Sequence, residues 1–151
     1  MSLKQFSILL CRFSLFIIYF WFGLLKVVGL SPASPMVHKL FDITVTPIIP
    51  FMPFSSFIVL FGLFEMLIGI LFFVPKMEKI ALSLFAFHVV TTMLPLFFMA
   101  EVWQKMFVPT LEGQYIIKNI ALIACALNIY ISLETKESPV GKINSAPLTF
   151  S

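Results

Sequence analysis

Arg12, Glu65 and His88 each lie deep inside a long apolar run of this chain. An ionisable side chain at membrane depth is costly, usually faces a bundle interior, and marks a functional site by default. A guanidinium, a carboxylate and an imidazole together can hold a charge pair and move a proton near neutral pH. Their depths predict one hydrogen-bonded cluster. At ~1.5 Å of rise per residue, Glu65 and His88 fall near the middle of their runs. Arg12 lies ~8 Å nearer one end, within reach of its long side chain. The same three residues could instead pin helices together without doing chemistry. A second group, Lys26, Gln114, Lys118 and Asn119, is expected at the opposite end near Glu101 or Glu112. Its ammonium and amide donors suit a polar headgroup, although Lys26 alone could simply snorkel to the surface. No metal site is expected. His88 has no second histidine at ligand spacing in its run, and His38 lies in a loop.

The elements that must position these residues follow from composition. Hydrophobic residues make up 60% of the chain and charged residues 11%, against roughly 25% charged in a soluble domain. The net charge of +3 is scattered, with no basic cluster or stacking motif to suggest a nucleic-acid partner. Four runs match the roughly 20 residues needed to cross a bilayer: about 6–28, 54–74, 80–99 and 115–133. The expected fold is an all-α membrane protein, an antiparallel four-transmembrane-helix bundle in one domain, 1–133, with a long Pro-rich loop between helices 1 and 2. A polar, loose tail is expected over 134–151. The first run exceeds the 7–15-residue apolar core of a secretory signal and is read as a retained span. Cys11 and Cys125 are read as small buried thiols.

Spacing puts polar and small residues on one face of each run. Run 1 carries Arg12, Phe16, Tyr19, Gly23 and Lys26. Run 2 carries Ser55, Ile58, Gly62, Glu65 and Gly69. Run 4 carries Gln114, Lys118, Ala121, Cys125, Asn128 and Ser132, and run 3 the weaker set Leu84, His88, Thr91 and Pro95. Small residues let helix backbones approach and polar ones bond across them. Lys4, Lys76, Lys79, Lys136 and Lys142 share one side, against Lys39 and Lys105 on the other, so both termini are expected to be cytoplasmic. Between runs 1 and 2, the loop 29–53 is long, apolar and rich in proline, with a short interfacial helix expected at 36–42.

Together these residues resemble the DoxX-like superfamily of small four-span bacterial membrane proteins, and most of all its YkgB-type branch. The resemblance lies in Arg12 followed by Trp21-Phe22-Gly23-Leu24-Leu25-Lys26, in Glu65-Met66-Leu67-Ile68-Gly69, and in Glu112-Gly113-Gln114-Tyr115-Ile116-Ile117-Lys118-Asn119. It covers roughly residues 5–133, and His88 maps to no family motif. The resemblance implies a bacterial inner-membrane location. It also implies a link to quinone-coupled sulfur oxidation, oxidative-stress defence or assembly. Three functions are therefore weighed. The first is an accessory redox subunit with a quinone headgroup in the polar seam and a larger membrane partner. The second is a non-catalytic assembly or interaction protein, including a homo-oligomer. The third and weakest is a small-solute or proton pathway.

Overall fold

The computed structural model of the chain describes residues 1–137. Helix α1 spans Leu3–Val27, opened by a capping box in which the Ser2 hydroxyl accepts from the Gln5 amide and the Gln5 side chain accepts from the Ser2 amide. Helix α2, Ser34–Thr44, carries proline in its first turn, where the missing N–H has no helical partner to lose. Helix α3 is Phe54–Leu71 and begins just after Pro53. Helix α4, Glu78–Met93, gives way at Leu94 to the single turn α5, Pro95–Phe98. Pro95 supplies no N–H and its ring clashes with the preceding turn, which divides the run in two. A 3₁₀ turn, Ala100–Val102, leads into the hairpin β1, Trp103–Lys105, and β2, Val108–Pro109. Helix α6, Leu111–Ile117, and helix α7, Asn119–Glu137, follow.

Four helical segments are long and apolar enough to cross a membrane: Leu3–Val27, Phe54–Leu71, Glu78–Phe98 and Leu111–Thr135. They match the four runs in the sequence, with ends shifted by a few residues. The fourth starts earlier than residue 115 and breaks at Lys118, where the Ala121 amide bonds back only three residues. Helix α7 also continues to Glu137, into the segment read as tail. The rest of that segment, 138–151, lies outside the described residues.

Helix α1 is the hub and packs against α3 and α7. Its contact with α3 is a backbone contact. A Cβ built on Gly23 would stand 2.5 Å from the Gly62 carbonyl oxygen, and one on Gly62 would stand 2.6 Å from the Gly23 carbonyl oxygen. Farther along, Gly69 lies against the backbone of Phe16 and Phe20. These contacts fix the register of α1 on α3. Leu15, Ile68, Phe72, Phe85 and Ile129 fill the apolar core between the helices. A smaller cluster, Met99, Val102 and Ile116, takes in Met36 and Leu40 of α2 and forms a cap at one end.

Candidate functional site

The register set by Gly23 and Gly62 brings Lys26 and Glu65 together. Lys26 Nζ donates to Glu65 Oε2 at 2.6 Å. The other carboxylate oxygen, Oε1, lies 3.0 Å from His88 Nε2. His88 Nδ1 lies 3.1 Å from the Tyr19 hydroxyl. The result is an unbroken chain, Lys26–Glu65–His88–Tyr19, drawn from α1, α3 and α4. All four residues are buried, Lys26 at 6% exposure and Glu65 at 5%. With Glu65 ionised and the imidazole neutral, one proton arrangement satisfies every contact. Nε2–H of His88 donates to the carboxylate, and the Tyr19 hydroxyl donates to Nδ1. This tautomer is assigned from the bonding pattern.

Aromatic rings enclose the chain. Phe61 stacks on the His88 imidazole at 5.1 Å between centroids, and the same ring has Lys26 Nζ 5.6 Å from its centre. Tyr19 meets His88 edge-on at 5.1 Å. Phe64 covers the imidazole from a third direction. Such apolar surroundings strengthen each bond and make any orphaned partner expensive.

The expected Arg12–Glu65–His88 cluster is thus divided. Glu65 and His88 do meet, but the cation on Glu65 is Lys26. Arg12 instead bonds Glu78 at the start of α4, 2.8 Å from Nη2 to Oε1. Position along α1 is the reason. Arg12, Tyr19 and Lys26 recur at intervals of seven, so all three share a face at steps of ~10 Å. The close approach of the glycines places Lys26, not Arg12, against the middle of α3. Sequence reasoning counted Tyr19 in the stripe but not in the site, and its repeat with Arg12 and Lys26 was the available signal.

The second expected group does not assemble either. Lys26 is spent on Glu65, while Gln114 and Lys118 are exposed and Asn119 is half-buried. The Lys118 ammonium sits over the Tyr115 ring, 4.9 Å from its centre. Asn128 reaches from α7 to α1, donating to Ser7 Oγ at 2.9 Å and to Cys11 Sγ at 3.4 Å. Cys11 and Cys125 are free thiols, half-buried. Among the described residues, no group of three or more His, Cys, Asp or Glu is placed to hold a metal ion.

At the cap, Lys39 of α2 pairs with Glu101 at 3.2 Å. The Glu101 carboxyl is held below the usual carboxylate range, chiefly by its own backbone N–H and next by Lys39. Comparison with family models, with known proteins and with solved structures gives no match to this chain.

Proposed function

We propose that this is a small integral membrane protein that handles protons for a membrane oxidoreductase, with a quinone headgroup as the proton acceptor. The unbroken Lys26–Glu65–His88–Tyr19 chain carries this reading. A proton taken from Lys26 is replaced along the chain. The His88 Nε2 proton passes to the Glu65 carboxylate and from it to Nζ, while Nδ1 takes the Tyr19 hydroxyl proton as that oxygen takes one from a water molecule, so one proton enters for each that leaves. Such relays of Asp, Glu and His are what buried ionisable groups in membrane spans commonly form. Electrons come from the partner and protons from this chain, so the two together reduce the quinone. The four spans are an antiparallel bundle in a bacterial inner membrane with both termini cytoplasmic, as the lysine placement and the DoxX-like resemblance suggest. Extraction in native lipid patches, followed by mass analysis, tests the proposal. A co-purifying quinone and an oxidoreductase partner are expected. Glu65→Gln keeps the shape and the acceptor for His88 Nε2 but leaves Lys26 without its counter-charge, so it is expected to lower stability and to remove redox-linked proton uptake from the protein that still extracts folded. Wild-type uptake in that variant would contradict the relay.

One observation favours a second reading. The ring shell of Phe61, Phe64 and Tyr19 closes tightly on the chain, as it would around a polar staple in an assembly protein. Glu65→Gln would then leave the partner's proton chemistry unchanged, whatever stability it loses through the Lys26 pair.

A further inference from the structure

The hairpin Trp103–Pro109 has features that its own fold does not explain. Lys105 pairs with Val108, so Met106 and Phe107 form a two-residue tip. Phe107 adopts φ 60°, a left-handed backbone conformation. That region favours Gly or Asn, and a bulky aromatic there is an outlier. Its ring gains nothing from the chain in return, since Met106 is 83% exposed and Phe107 82%. Two large apolar side chains facing outward are unfavourable in water, and both are explained if the tip sits in an apolar medium.

We propose that the hairpin tip is a lipid anchor, with Met106 and Phe107 inserted among the acyl chains next to the bundle. Position in the chain argues for lipid as the occupant. The hairpin falls between the spanning segments that end at Phe98 and begin at Leu111, so it starts at the bilayer surface, continuous with their lipid-facing belt. Trp103 stands at its base, a residue type that favours the headgroup level, and Lys105 flanks the tip, where its long side chain can reach back to that level. Trp103 Nε1 donates to the Leu96 carbonyl at 3.0 Å, which ties the base to the end of that span. From there the tip has a reach of ~10 Å at the usual strand rise. The linker between α2 and α3 presents a matching pair, Ile48 at 78% and Phe51 at 86% exposure.

The test adds a tryptophan at the tip, Phe107→Trp in a Trp21→Phe background, read as the difference from Trp21→Phe alone so that Trp103 stays in place, in phosphatidylcholine vesicles with and without brominated acyl chains. A lipid anchor gives blue-shifted emission, several-fold stronger quenching by the brominated lipid than by aqueous iodide, and no dependence on protein density. Red-shifted emission quenched by iodide overturns the proposal, because the tip is then in water. Blue-shifted emission that neither agent quenches also overturns it, because a second copy or another protein then covers the tip. The otherwise wild-type Phe107→Gly relieves the left-handed strain and is expected to melt no lower than wild type in detergent. A clear drop would show the ring packing on protein and would equally overturn the proposal.

Discussion

Lys26 and Glu65 form a pair whose value depends on both members being present. Removing one charge from a buried pair costs about 3–5 kcal/mol, whereas replacing both with apolar groups of similar size is often close to neutral. Lys26→Met is therefore expected to destabilise strongly, and Lys26→Met with Glu65→Leu to recover part of the loss, the remainder reflecting the His88 Nε2–H left without its acceptor, as read by denaturant titration in mixed micelles. Equal losses in the single and double variants would mean the two residues act independently. Tyr19→Phe removes only the terminal hydrogen bond to His88. It should cost about 1–3 kcal/mol by leaving a buried acceptor unsatisfied. Arg12 belongs to a different pair, with Glu78, so Arg12→Met should leave the environment of His88 unchanged. A shifted His88 resonance in that variant would reconnect Arg12 to the buried chain.

Among the elements, the contact between α1 and α3 positions everything else. Any side chain at Gly23 or Gly62 meets backbone of the opposite helix, and backbone cannot rotate away. Gly62→Ala is expected to lower stability by about 1–3 kcal/mol, the range for overpacking a close contact, and to disturb the Lys26–Glu65 bond as well. A Gly62→Ala protein that melts like wild type would mean α1 and α3 do not pack this closely. At the cap, the depressed Glu101 carboxyl gives a pH dependence with a definite sign. A carboxyl held lower in the folded state adds stability above its ordinary value of 4.5. That stability is lost as pH falls through the lower folded-state value. Because the pair is exposed, the effect is small. Melting curves of wild type and Lys39→Met should differ above that range and converge below it. A gap that persists in acid would assign Lys39 a packing role instead. The four apolar runs and the polar stripes were legible because hydropathy and helical period are local properties. The breaks at Leu94 and Lys118 differ in this respect. The first follows from Pro95, while Lys118 carries no residue type that announces a break.

Across the whole molecule, one chain of polar side chains joins three of the four candidate spans, and α7 is tied on separately through Asn128. The sequence placed Glu65 and His88 at a shared depth but assigned them Arg12 where the structure has Lys26. Both lie on the same face of α1, and only the packing register separates them. That register comes from two glycines meeting across helices, a long-range fact that the spacing within either helix does not contain. The chain makes a specific demand on His88, whose two ring nitrogens have different partners. Nitrogen NMR of imidazole-labelled protein in lipid bilayers reads them directly, with the exposed His38 as internal reference. A neutral His88 protonated at Nε2, with that signal moving on Glu65→Gln and Nδ1 moving on Tyr19→Phe, is the expected result. A His88 indifferent to both substitutions would contradict the existence of the buried Lys26–Glu65–His88–Tyr19 chain.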